Sequence, residues 1–264
     1  MTTWRIDSPE QLDIDDVREV RVRVVGGEVN VHGTTGSSAH LEVSDIDGEL
    51  AVEYADGVLT LTQPGLTWER LLQWRATLRA EATLALAVPA GCPVQVGVVS
   101  ASAMVSGLTG PTQVRSVSGR VTLDGLDGDI TAQTVSGDVE TLALTGSLRF
   151  KTVSGELTLA GGGGCREVTA KTVSGDMALD LSLDPGGAIA LDTVSGDIVV
   201  RMPDGTGAKI EAQSTSGDLD SGFPGLTRDN KPGRKSLRGS IGDGAGSIRV
   251  RSVSGDVTLV PAAR

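Results

Sequence analysis

The chain has 264 residues, and its 39% hydrophobic side chains suffice for a sizeable core, which excludes wholesale disorder. With 34 acidic against 23 basic residues it carries a formal net charge of -11, so broad nucleic-acid binding and docking on an anionic membrane are excluded by repulsion from phosphate. The 2 Cys, Cys92 and Cys165, and the 2 His, His32 and His40, exclude a disulfide-dense scaffold and a His/Cys metal cage, while 36 Gly against 3 Trp, 1 Tyr and 2 Phe call for a structural reason.

The opening segment, MTTWRIDSPEQLDIDD, has no basic region followed by an apolar run, and no later window approaches the ~20 apolar residues of a membrane helix. The expectation is a cytoplasmic protein without direct membrane insertion. Residues 1–19 read as a lead-in or cap, and 20–264 as one repeat domain with irregular insertions at 64–81 and 220–246. A weak rhythm begins in GGEVNV (26–31), DGELAV (47–52) and DGVLTL (56–61). It is interrupted by TWERLLQWRATLRA (67–80), where Trp68, Leu71, Leu72 and Leu78 fall at helical spacing. A short helix is expected there, its apolar face packed on the repeats.

After SASAMVSGLTG (100–110) the rhythm becomes strict. Gly119, Gly128, Gly137, Gly146 and Gly155 stand nine residues apart, and every second block opens on a stronger signature. These are SVSGRV (116–121), TVSGDV (134–139), TVSGEL (152–157), TVSGDM (172–177), TVSGDI (193–198), STSGDL (214–219) and SVSGDV (252–257). Within the blocks apolar residues alternate, as in Val121 and Leu123 or Leu148 and Phe150, which is the period of half-buried strands. One such coil cannot bury its own apolar face, so neighbouring coils must stack.

The predicted fold is all-β, a parallel β-solenoid (β-helix) with coils of ~18–21 residues, right-handed, plus one short helix. One wall is read as Val121, Val139, Leu157, Met177, Ile198, Leu219 and Val257, the other as Ile130, Leu148, Val168, Ile189, Ile210 and Ile248. Gly119, Gly137, Gly155, Gly175, Gly196, Gly217 and Gly255 are assigned to corners needing positive φ. Alternation from Ile130 turns Thr134 inward whereas hydrophobicity favours Val135, and the sequence leaves both open.

The repeats offer one chemical column: Asp138, Glu156, Asp176, Asp197, Asp218 and Asp256 each follow a corner glycine. Carboxylates are suitable calcium ligands, but the spacing differs from a G-G-x-G-x-D calcium roll, so the expectation is a solvated acidic edge, with no metal and no cofactor. Neither histidine lies in the serine array, and GGGG at 161–164 lacks the following Lys-Ser/Thr of a phosphate loop. No enzyme is therefore expected; a carboxylate-based polysaccharide-active enzyme is a remote alternative, and a flat hydroxyl lattice that binds ice a further one. Specific contacts are placed in the interruptions, at Trp68 and Trp74 and in the basic loop bearing Arg228, Lys231, Arg234, Lys235 and Arg238.

The seven in-phase SGD-type blocks make the chain resemble bacterial β-strand-repeat proteins named as candidate adhesins, also called toast-rack domains, over roughly residues 20 to 260. That resemblance implies a noncatalytic solenoid and transfers no catalytic residue. The expected function is a scaffold or protein-interaction module that binds a protein partner through its insertions. The alternative is self-association into a filament resembling the bactofilins, because terminal coils present unpaired strand edges and the chain stops soon after its last SGDV block.

Overall fold

The computed structural model describes residues 1–63 and 80–262, and among these it contains 24 β-strands and no helix. The all-β class thus follows the period-two pattern. The helix expected over 67–80 lies outside the described residues, apart from Ala80. The chain divides into two compact units, Met1–Gly128 and Asp129–Arg264.

In the first unit Glu19–Val24 lies parallel between Val58–Thr62 and Val94–Val98, and Val94–Val98 pairs onward with Thr112–Ser116. The succeeding strand, Gly26–Thr34, lies parallel between Glu81–Pro89 and Ser102–Ser106, and the latter pairs with Val121–Asp124. Alternation sends Val20, Val22 and Val24 into the core beside Val94, Val96 and Val98. The parallel pairing expected throughout is corrected at the amino-terminal side. There Thr2–Ile6 and Glu10–Ile14 run antiparallel to Leu50–Ala55 and Ala39–Asp47, which in turn run antiparallel to Val58–Thr62 and Glu81–Pro89. The cause is local: Asp56 and Gly57 both adopt positive φ (53° and 82°) between the paired residues Ala55 and Val58. Asp-Gly in that conformation is a tight hairpin turn, which reverses the chain instead of advancing it by a coil.

In the second unit the parallel ladders follow the predicted columns. Val139, Leu157, Met177 and Ile198 are paired in succession on one wall, and Leu148, Val168 and Ile189 on the other. All are buried. The order of the last rungs departs from chain order. Val257–Pro261 pairs with Ile198–Met202 on one side and with Leu219–Ser221 on the other, and Gly246–Ser252 likewise separates Met177–Asp192 from Ala208–Ser214. The last two strands are thus inserted between strands that precede them in sequence. The residues before it form a hairpin, Thr227–Lys231 with Arg234–Ile241, closed by Pro232 and Gly233 at φ 73°. Its second strand adds antiparallel to Ala208–Ser214, burying Leu237 and Ile241, while every residue of Thr227–Lys231 is exposed. A short, polar, charged outer strand is the usual protection of a sheet edge.

The corner glycines also need a different explanation from the expected one. Positive φ values occur elsewhere, at Gly128 and Gly146 for example, but not at Gly119, Gly137, Gly155, Gly175, Gly196, Gly217 or Gly255. A Cβ on Gly155 would sit on the carbonyl oxygen of Gly137, one on Gly175 on that of Gly155, and one on Gly196 on that of Gly175. The same holds for Gly255 over Gly196 and Gly217 over Gly255. Glycine is required because backbone passes over backbone. Gly175→Ala is therefore expected to destabilise the protein by at least ~2 kcal/mol in urea unfolding, because the corner must shift to admit the methyl. Gly36→Ala, whose Cβ would meet nothing nearer than Ser38 N at 3.9 Å, should change stability by less than ~0.5 kcal/mol.

Candidate functional site

The T-V-S-G-D corners of the second unit settle the open orientation. Thr134, Thr152, Thr172 and Thr193 are 5–7% exposed, and each hydroxyl accepts the N–H of the glycine three residues on, at 2.8, 2.8, 2.8 and 3.0 Å. A β-branched residue with an acceptor satisfies the corner amide while filling the core edge. Ser252 fills the same position differently, its hydroxyl donating to Gly255 O at 2.8 Å.

Since threonine takes the inner position, valine is turned out. Val135, Val153, Val173, Val194 and Val253 are 49, 51, 48, 47 and 48% exposed. Successive backbone bonds join them: Ser154 N donates to Val135 O, Ser174 N to Val153 O, Ser195 N to Val173 O, Ser254 N to Val194 O and Ser216 N to Val253 O. The serine hydroxyls donate to the same carbonyls, at 3.0 to 3.3 Å. The outcome is a ridge of valine side chains one strand spacing apart, about 4.8 Å, ending on Thr215.

Beside the ridge stands the acidic column. Its carboxylates bind the neighbouring rung: Asp138 accepts the N–H of Glu156 (3.1 Å), Asp176 that of Asp197 (2.8 Å), Asp197 that of Asp256 (2.9 Å) and Asp256 that of Asp218 (2.7 Å). One oxygen of each of these aspartates is committed to a backbone donor, and all four residues are exposed. Among the described residues no group of three or more His, Cys, Asp or Glu is placed to hold a metal ion. Asp218 ends the ladder, and its carboxylate takes the Lys235 ammonium instead of another amide. That hydrogen bond and charge hold the Asp218 carboxyl below the usual carboxylate range.

Lys235 belongs to the basic loop singled out in the sequence, now the hairpin 227–241. Arg228 pairs with Asp220 (2.8 Å), Lys231 with Asp229 (2.9 Å) and Arg238 with Glu211 (3.0 Å), while Arg234 is exposed. Trp68 and Trp74 lie outside the described residues. Both cysteines are buried and free, and burial pushes each thiol up to about 11, so they are protonated at neutral pH. The sequence reading missed the valine ridge because hydrophobicity favoured an inward Val135, against the alternation that turns Thr134 inward. A legible signal was the hydroxyl residue, Thr or Ser, three residues before each corner glycine, which marks an inward side-chain cap.

These features define an all-β repeat protein with stacked, hydroxyl-capped glycine corners. Residues 166–260 match the family model described as Toastrack DUF4097, the family to which the repeated SGD blocks point. Among solved structures, a candidate adhesin of Bacteroides fragilis shares 14% identity with TM-score 0.45, covering 97% of this chain and 98% of that one. A candidate adhesin of Parabacteroides distasonis gives 12% and 0.45 over 99% and 97%. A candidate lipid-binding protein of the same species gives 11% and 0.45 over 97% and 98%. Likeness at this level carries no functional argument. No protein of curated description matches the chain.

The Asp218 carboxyl gives a pH-dependent prediction. Its folded value is lowered, so its contribution to stability is present above the ordinary carboxylate range and lost as pH falls through the lowered value. In a carbon-detected NMR titration Asp218 should titrate below the usual carboxylate range. Lys235→Met should return it to the common range.

Proposed function

We propose that the chain is a noncatalytic, cytoplasmic interaction scaffold, a β-solenoid whose coils present the valine ridge and acidic ladder as a docking surface. The observation that carries this reading is the exposure of five valines in consecutive register. Single exposed apolar residues are ordinary on a soluble protein, but a contiguous row with a polar border is the usual mark of a contact surface. Charge selects the partner: a protein segment with an apolar strip and basic flanks complements valines bordered by carboxylates.

The basic hairpin is less suited to that role, because Lys235, Arg228 and Arg238 already pair with Asp218, Asp220 and Glu211. Its part is to close the ladder. End-to-end assembly through the last strand is disfavoured as well, since Val257, Thr258 and Leu259 are paired on both sides. A noncatalytic role is supported by the corner hydroxyls, which are occupied by backbone groups, and by the protonated, buried thiols. The acidic sequence with two unpaired cysteines supports a cytoplasmic location.

A photo-reactive amino acid placed at position 153, 173 or 194 should yield one discrete protein adduct in cells, and Asp197→Lys should abolish it. Absence of a discrete adduct at all three positions would sink the proposal. The triple variant Val153→Asn, Val173→Asn, Val194→Asn should lose the partner while changing stability by no more than ~1.5 kcal/mol, as exposed positions do.

A further inference from the structure

The first unit carries a feature that the ridge does not explain. On the outer face of its parallel ladder, Arg23 and Arg115 are both paired in register with Gly97, one on each side of it. One row along, Arg21 and Gln113 flank Gln95 in the same way. Together with the backbone between them, these side chains line an open depression of about 70 Å³ over the glycine.

Gly97 stands in the middle of the ladder, where glycine weakens a strand by leaving it without a side chain and with excess freedom when unfolded. Neither of the usual reasons for glycine, a positive φ or a close backbone, applies to it. Its φ is not positive, and a Cβ there would meet only Val22 O at 3.8 Å and Arg23 Cγ at 3.9 Å, ordinary contacts. Backbone geometry would admit any β-former. What the missing side chain creates is space between two guanidinium groups.

Those groups are unusual for so acidic a chain. Glu19 engages Arg21 Nε at 2.8 Å and Gln95 Nε2 at 3.2 Å, which orients the second row. Among the described residues the Arg23 and Arg115 guanidinium groups make no ion pair or hydrogen bond. Two like charges thus face a shared notch across two strand spacings, about 9.6 Å. Guanidinium presents a planar fork of donors that matches the paired oxygens of a phosphate or sulfate, and Gln113 adds an amide donor.

We propose that the notch over Gly97 binds a tetrahedral oxyanion, phosphate or sulfate, free or as a terminal monoester, held between Arg23 and Arg115 with Arg21 and Gln113 in support. The anion neutralises two uncompensated cations and occupies the volume that a side chain at position 97 would fill. This site belongs to the first unit and does not rest on the docking role of the ridge.

Calorimetric titration of the full-length protein with inorganic phosphate and with sulfate at low ionic strength tests it. Saturable binding is expected, weakened about tenfold or more in Arg23→Gln and in Arg115→Gln, each of which removes charge-assisted hydrogen bonds. Gly97→Val should weaken it as much by filling the notch, with an unchanged or higher melting temperature, because valine favours a strand. Sedimentation with phosphatidylcholine vesicles containing phosphatidic acid separates the sources. Vesicle binding lost in Arg23→Gln and Arg115→Gln points to a headgroup monoester, and phosphate binding without vesicle binding points to the free ion. No saturable binding by the unaltered protein, or equal binding by the folded Gly97→Val and arginine variants, would overturn the proposal.

Discussion

The second unit depends on how closely its corners pass one another. Each TVSG corner lies so near its neighbour that the glycine Cα faces the preceding glycine carbonyl, leaving no room for a Cβ. That approach fixes what surrounds it. The glycine amide, turned away from the ladder, is taken by the threonine hydroxyl inside, and the valine between them is forced out. The next residue then falls beside the preceding rung, whose aspartate accepts its N–H. Valine ridge and carboxylate ladder both follow from one backbone contact repeated at the strand spacing.

The carboxylates of Asp138, Asp176, Asp197 and Asp256 each serve the next rung, and the series ends at Asp218. The hairpin supplies Lys235 there, and two further cations beside it neutralise Asp220 and Glu211. Its outer strand, Thr227–Lys231, is exposed and charged and so discourages further pairing. The two inserted last strands complete the arrangement. Ala208–Ser214 and Leu219–Ser221 reach the earlier rungs only through Gly246–Ser252 and Val257–Pro261, so this part of the core joins segments distant in sequence. Such pairing carries the loop-closure entropy that slows folding.

Much of this was legible in the sequence because stacked coils repeat their environment. The columns Val139, Leu157, Met177 and Ile198 could be read directly, since alternation holds there and the SGD signature marks each repeat despite its change in length. Corners were harder. Alternation turned Thr134 inward while hydrophobicity favoured Val135, and hydrogen bonding decided between them. The same SGD-like signal misled at Asp56-Gly57, where two positive φ values make a hairpin and not a coil. Gly97 offered a faint clue, a glycine inside a strand, but the arginines flanking it come from segments more than ninety residues apart.

By itself the sequence determined the all-β class, the repeat, the membership of the two core walls and the acidic character of the corners. These are properties of each coil, set by local alternation and composition. Only the tertiary structure decided which rung adjoins which, which corner residue faces solvent, why the glycines are needed and where unpaired arginines meet. Those depend on pairing between coils, and parallel ladders of near-identical repeats admit several orders with similar local energies. The choice among them rests on long-range contacts, in particular the hairpin that occupies one side of Ala208–Ser214 and leaves the other for the last coil.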